Sequence, residues 1–260
     1  MADDSVVPNK SLGQHWLHDQ ASLAAMADGV ALSPGDCVLE IGPGLGTLTS
    51  VLLERGAHVT AVEFDHELAK ALPGRIASDN LTVVEHDILT FDFTRLPSGY
   101  KVAANIPYYL TSKLLRVMCE SPNPFSQAAL LVQKEVAERI CARPGDMSLL
   151  SVGVQFYCET QLGGIVPAEL FTPPPKVDSQ IVLLTYRQTP LFPDVDTKAF
   201  FRLVKAGFSQ RRKKLRSSLS AGLALSKLAT DELLAAANID PNLRAQNLSL
   251  DDWYRLYTAF

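Results

Sequence analysis

Three short stretches of the chain carry residue types suited to chemistry on a bound ligand. The first is Glu40-Ile41-Gly42-Pro43-Gly44-Leu45-Gly46-Thr47, an apolar run that breaks into alternating glycines. Glycines between a strand and a helix let backbone approach a ligand closely and present helix N–H groups to it. The second is Glu63, 21 residues beyond Gly42. A carboxylate ending the next strand can accept hydrogen bonds from both hydroxyls of a ribose. The third is Asn105-Ile106-Pro107-Tyr108. Asn105 Oδ1 and the Ile106 carbonyl can take the two N–H bonds of an adenine N6 amine, drawing it toward tetrahedral geometry and freeing its lone pair. Pro107 stiffens the turn, and Tyr108 offers a ring on which a flipped-out base can stack.

The loop and its acid indicate an adenosine-containing cofactor. A dinucleotide loop wants Gly-x-Gly-x-x-Gly, so that a pyrophosphate rests on the helix N-terminus. Here that third position is Thr47, and the glycines fall at 42, 44 and 46. Glu40 would repel a pyrophosphate but suits a cationic ligand. S-adenosylmethionine carries a sulfonium and an ammonium and no phosphate, and Glu40, Gly42, Gly44 and Glu63 are its candidate contacts. Asp87, in His86-Asp87-Ile88, is placed to accept from the cofactor's adenine amine. The step at Asn105–Tyr108 is then displacement at a methyl carbon, driven by orientation, with no metal required. Taken singly, each feature has a plainer reading: a tight turn, a surface acid, a helix cap or a strand-to-loop turn. Their combination favours the cofactor.

The elements that must position these residues follow from periodicity. Apolar runs at 37–41, 58–64, 81–85, 100–104 and 128–132 read as strands. Between them lie helical patterns, and 19–31 suits a short helix with Asp19 as its N-cap. Alternation of this kind predicts βαβ units in a Rossmann-like, mostly parallel sheet with helices on both faces. Residues 151–157 and 180–186 read as two further strands at one edge, making seven. The prolines at 190 and 193 mark a linker within 188–196. Beyond it, 197–222, 224–237 and 249–259 read as helices. The expected division is an α/β domain at 1–190 and a small all-helical domain at 191–260.

Composition sets the outer limits. Of 260 residues, 47% are hydrophobic and 20% charged, which excludes a disordered or collagen-like chain. No apolar run approaches the roughly 18 residues of a membrane span, and the acidic start lacks a signal-peptide core, so a cytoplasmic address is expected. Cys37, Cys119, Cys141 and Cys158 form no CxxC pair and read as small apolar residues. The net charge of −4 is uneven: residues 191–260 hold 11 Lys+Arg against 7 Asp+Glu, and residues 1–190 hold 13 against 21. Arg211, Arg212, Lys213, Lys214 and Arg216 make a dense cation cluster. A solvated helix face is one reading and a nucleic-acid partner the other.

With these residues in view, the chain resembles the rRNA adenine N6-dimethyltransferases, most closely the bacterial small-subunit group. The resemblance runs through Ser11–Leu17, Glu40–Thr49, Val62–Asp65, His86–Asp87, Asn105–Tyr109, Phe171–Ser179 and Phe208–Leu215. It implies a class I methyltransferase fold, with His15, Leu17, Gly42, Glu63, Asp87 and Asn105 on S-adenosylmethionine. Tyr108 and Phe171 would sandwich the target adenine, and a basic C-terminal helix would hold RNA phosphates. The implied activity is transfer of two methyls to each of two adjacent adenines in the 3′-terminal hairpin of small-subunit rRNA, late in small-subunit assembly. The implied partner is that rRNA within an immature small subunit. Nothing calls for an oligomer, so a monomer is expected. His15 stands where Asn is frequent, and Gln246 where an acid is common. Other readings are the sister activity on large-subunit rRNA, a DNA adenine methyltransferase, and a noncatalytic assembly factor. The intact cofactor residues argue against the last.

Overall fold

The structure, a computed structural model, describes residues 14–107 and 109–260. Residues 11–13 of the first motif, and Tyr108, lie outside the described residues. The chain groups into two compact units. One takes the chain as far as Ala137 and again Cys158–Tyr186; the other takes Glu138–Tyr157 and Arg187–Phe260.

In the first unit the elements run β1 (Trp16–Leu17), α1 (Gln20–Gly29), β2 (Cys37–Ile41), α2 (Thr47–Glu54), β3 (His58–Glu63), α3 (His66–Arg75), β4 (Leu81–Glu85), β5 (Lys101–Asn105), α4 (Thr111–Cys119) and β6 (Gln127–Gln133), and α5 (Lys134–Ile140) is divided by the cut after Ala137. After an excursion into the second unit come β7 (Cys158–Val166), β8 (Phe171–Thr172) and β9 (Ser179–Tyr186). Seven strands form one sheet in the order β4-β3-β2-β5-β6-β9-β7. The strands from β4 to β6 are parallel, and β9 and β7 close that edge antiparallel. β1 and β8 pair separately as a short antiparallel ribbon.

Capping decides where the helices start. The Asp19 carboxylate accepts from the Ser22 N–H at 2.8 Å and opens α1. Asp65, just past β3, accepts from Glu67 and Leu68 and opens α3. The core lies between sheet and helices: Val38, Ala103, Ala129 and Leu131 on the strands meet Leu23, Met26 and Leu52 on α1 and α2. Each fully buried side chain of this size contributes about 1.5–3 kcal/mol. Because β2 is flanked by β3 on one side and β5 on the other, the strand order reverses at β2–β5. The carboxyl ends of these two strands open a crevice at that reversal, where ligands of such sheets bind.

Six of the seven strands fall where periodicity puts them; the seventh does not. Of residues 151–157, read as a strand, 151–155 belong to α6 (Leu149–Gln155) and 156–157 to the turn after it, and the edge strand is β7 instead. The reason is a capping box: Ser148 and Ser151 each bond the other's backbone N–H, at 2.6 and 3.2 Å.

The second unit is helical. It holds α6, α7 (Thr197–Phe208), α8 (Leu215–Leu223), α9 (Lys227–Ala236) and α10 (Leu250–Ala259). Its core gathers Val152, Phe156, Phe192, Phe200, Leu203 and Trp253. Phe192 stacks on Tyr254 with ring centroids 4.4 Å apart. The last cut between the units falls at 186/187, and residues 138–157 group with the helices and not with the sheet. Gln246 fastens this segment: its Nε2 donates to the Gly145 carbonyl at 2.7 Å, and its own carbonyl accepts from Gly145 and Met147. The helix expected over 197–222 is broken at 209–214, so the basic run occupies a turn between α7 and α8. Cys119 and Cys158 are buried with sulfurs 3.9 Å apart. Among the described residues no helix is long and apolar enough to cross a membrane.

Candidate active site

The carboxyl ends of β2, β3 and β5, the loop after β4, and the ribbon strand β1 converge on one cavity of about 330 Å³. Its lining includes every residue proposed from sequence for the cofactor: His15, Leu17, Glu40, Gly42, Gly44, Glu63, Asp87 and Asn105. Ile106 and Pro107 line it too. The glycine loop turns left-handed at all three glycines, with φ of 66°, 57° and 85° at Gly42, Gly44 and Gly46. At Gly46, which opens α2, the left-handed φ of 85° favours glycine, and an added Cβ would also push on the side-chain ends of Leu72 and Ile76.

Two buried carboxyls dominate the electrostatics. Glu63 is 6% exposed and held by backbone: Oε2 accepts from the Gly44 N–H at 3.1 Å and Oε1 from the Asp65 N–H at 2.9 Å. Burial raises its pKa, and those N–H bonds oppose the rise. Glu40 is 1% exposed, and burial pushes its carboxyl up to about 8, with the Glu63 charge adding to the effect. Glu40 Oε2 has no hydrogen-bond partner. Among the described residues no Lys or Arg lines the cavity. Such a site rejects anions and rewards a cation that would draw the Glu40 proton off. The donor set fits S-adenosylmethionine, with a carboxylate at the ribose end and an orphaned carboxyl for a positive charge.

Asn105 is oriented by the N-terminal ribbon. Its Nδ2 donates to the His15 carbonyl at 3.0 Å, which makes Oδ1 the amide's acceptor. The Ile106 N–H is tied to the Leu131 carbonyl of β6 at 3.1 Å, fixing the turn. The His15 ring donates from Nδ1 to the Pro173 carbonyl at 2.7 Å, and the Thr47 hydroxyl donates to the Leu17 carbonyl at 2.9 Å. Asp87 accepts from the Leu89 N–H at 2.9 Å and so shapes its own turn.

Two residues of the expected base site are placed differently or not at all. Tyr108 lies outside the described residues. Phe171 is 3% exposed and is absent from the cavity lining; pairing of β8 with β1 turns its ring into the core beside Leu17 and Leu23. Sequence reasoning passed over Gln14, Trp16, Phe64 and Tyr109, which also line the cavity. Gln14 and Trp16 were visible as neighbours of His15 in the first motif. Phe64 and Tyr109, 62% and 65% exposed, followed the assigned Glu63 and Tyr108 directly.

In the second unit, Arg211, Arg212, Lys213 and Lys214 are exposed on the turn before α8. Lys214 donates to Asn242 Oδ1 at 2.7 Å. Arg216 differs: it is half-buried and ion-paired with Asp231 on α9.

Known proteins supply the comparison. The family described as ribosomal RNA adenine dimethylase matches residues 7–260. A protein of Dehalococcoides mccartyi (strain CBDB1) named "Ribosomal RNA small subunit methyltransferase A" is 42% identical over 251 residues, 95% of this chain and 86% of that one. One of Moorella thermoacetica with the same name is 41% identical over 266 residues, 96% and 92% of the two chains. Among solved structures, the 23S rRNA methyltransferase ErmE superposes with a TM-score of 0.76 at 29% identity, covering 94% of this chain and 98% of that one. A dimethyladenosine transferase from Plasmodium falciparum gives 0.80 at 27% identity, covering 93% and 96%. Cavity, strand order and likeness along nearly the whole chain agree, and the chain belongs to the ribosomal RNA adenine dimethylase family.

Proposed function

We propose that this chain is an S-adenosylmethionine-dependent rRNA (adenine-N6,N6)-dimethyltransferase, acting on two adjacent adenines in the 3′-terminal hairpin of small-subunit rRNA. The observation that carries the reading is the cavity itself: Glu40, Glu63 and Asn105 meet in one crevice that, among the described residues, no Lys or Arg lines. That supports a sulfonium cofactor and an amine acceptor over a phosphate-bearing one. Bound there, S-adenosylmethionine supplies an electrophilic methyl group on a positive sulfur. Glu63 holds the ribose, Asp87 the adenine amine, and Gly42, Gly44 and Leu17 the backbone side of the site. Asn105 Oδ1 and the Ile106 carbonyl accept the N–H bonds of the target amine and aim its lone pair. Pro107 keeps those two acceptors at a fixed spacing. Tyr108 takes one face of the base. Phe171 takes the other once its ring leaves the core.

The exposed cations Arg211–Lys214 grip RNA phosphates, while Arg216 holds α8 to α9. The substrate is rRNA within an immature small subunit, the protein acts as a monomer in the cytoplasm, and it serves small-subunit assembly. The higher identity to small-subunit enzymes supports that substrate over the large-subunit one. The test offers labelled S-adenosylmethionine with unmethylated small subunits, protein-free large-subunit rRNA and duplex DNA. Label on small subunits alone, reaching two methyls on each of two adenines, is expected. Label on large-subunit rRNA instead would reassign the substrate, and tight subunit binding without label would leave a noncatalytic assembly role.

A further inference from the structure

Among the described residues, two that line the cavity each carry a buried side-chain atom with no hydrogen-bond partner: Trp16, at Nε1, and Glu40, at Oε2. The first can only donate; the second is the acceptor already noted. A buried donor left unpaired is costly, so a fold that keeps one invites a partner from outside the chain. The indole lies against the glycine loop, where a Cβ on Gly44 would stand 3.3 Å from Nε1. Its backbone is held by the pairing of Trp16 with Thr172 and by the Thr47 bond to Leu17 next door.

The rest of the lining narrows what completes that donor. Gln14, His15, Thr47 and Asn105 each already donate to a protein acceptor. Glu40, Glu63 and Asp87 offer carboxyl groups, and among the described residues no Lys or Arg lines the wall. A ligand whose end bears both an ammonium and a carboxylate finds acceptors for the first. For the second it needs a donor that brings no charge of its own.

We infer that Trp16 is a cofactor-binding residue: its indole N–H donates to the α-carboxylate of the cofactor's amino-acid end, while Glu40 takes the α-ammonium. This rests on S-adenosylmethionine being the cofactor. Phenylalanine at position 16 keeps an aromatic ring beside Gly44 but removes the donor and some volume, so a probe without the amino-acid end controls for the lost packing.

The test is calorimetric binding of two probes to the wild type and to Trp16→Phe. S-adenosylhomocysteine has the amino-acid end; 5′-methylthioadenosine keeps the adenine, ribose and sulfur and lacks it. Trp16→Phe is expected to weaken S-adenosylhomocysteine about tenfold, the scale of one hydrogen bond to a charged group. It should leave methylthioadenosine within about twofold, because no bond to that probe is lost. A second readout needs no variant. The chain has two tryptophans, so ¹⁵N spectra of the wild type show two indole N–H signals. The Trp16 signal should move with S-adenosylhomocysteine and stay with methylthioadenosine, with Trp253 as the internal reference. Equal losses for both probes, no loss for either, or an indole signal indifferent to S-adenosylhomocysteine overturns the assignment. A wild type that binds neither probe defeats the cofactor reading itself.

Discussion

The side-chain amide of Asn105 donates to the backbone carbonyl of His15, 90 residues away in sequence, at 3.0 Å. One atom of the amide is thereby spent on architecture and the other is left to face the acceptor base. The same bond ties the N-terminal ribbon to the end of β5, so the cofactor wall and the amine-binding turn are set by one contact.

Asn105→Ala removes both roles. Transfer should fall by at least about 100-fold, the scale seen when an oriented polar group is taken from a reacting centre. Affinity for S-adenosylhomocysteine should change far less. Single-turnover methylation beside calorimetry checks this; retention of a tenth of the wild-type rate would refute the role of Asn105.

Glu40 makes stability depend on pH. Its carboxyl titrates near 8 in the fold, against an ordinary value of 4.5. Between these values the folded state binds more protons than the unfolded state. Stability therefore falls as pH rises through that window, by up to about 1.4 kcal/mol per pH unit, and levels off above it. Thermal melts of the ligand-free protein from pH 5 to 8.5 should show the decline, and Glu40→Gln should flatten it. Cofactor affinity should move the other way, strengthening as Glu40 ionises.

Gln246→Glu tests the tie to residues 143–147. The amide of Gln246 donates to the Gly145 carbonyl, and a carboxylate would set oxygen against oxygen there. The melting midpoint should drop by about 2–6 °C, as one lost and one unfavourable polar contact imply. Methylation at low temperature should persist. An unchanged midpoint would mean the segment is held by its apolar residues alone.

Replacing Arg211, Arg212 and Lys213 together by Ala should lower the slope of log K against log salt for RNA binding by about 2–3. Arg216→Ala should instead lower stability, because it leaves Asp231 without its partner. Equal effects of the two variants on the slope would place Arg216 on the RNA as well.

The parallel sheet and the cofactor crevice were legible because buried strands and glycine turns impose residue types one position at a time. Glu63 reads as functional from its distance to Gly42 alone. The edge was harder: Ser151–Tyr157 alternates like a strand, and only the Ser148–Ser151 cap turns it into a helix. The break at 209–214 was missed because Arg and Lys suit helices and turns alike. Trp16 escaped for another reason. Whether an indole N–H is paired depends on which atoms surround it in space, and its neighbours in sequence say nothing of that. The inward turn of Phe171 depends likewise on a two-residue ribbon too short to leave a periodic signal.

The double crossing between units has a consequence for synthesis. Residues 138–157 leave the ribosome about 100 residues ahead of α10, which at common elongation rates is roughly 5–20 s. Through that interval Met147, Val152 and Phe156 lack the partners they bury against in the finished helical core. The sheet can close around its own strands once Tyr186 has emerged, while an apolar loop still projects from its middle. A chain stopped at Tyr186 would keep that loop bare permanently. Translation thus passes through a window in which an apolar segment awaits its shelter, and the stretch from Tyr157 to α10 sets how long that window lasts.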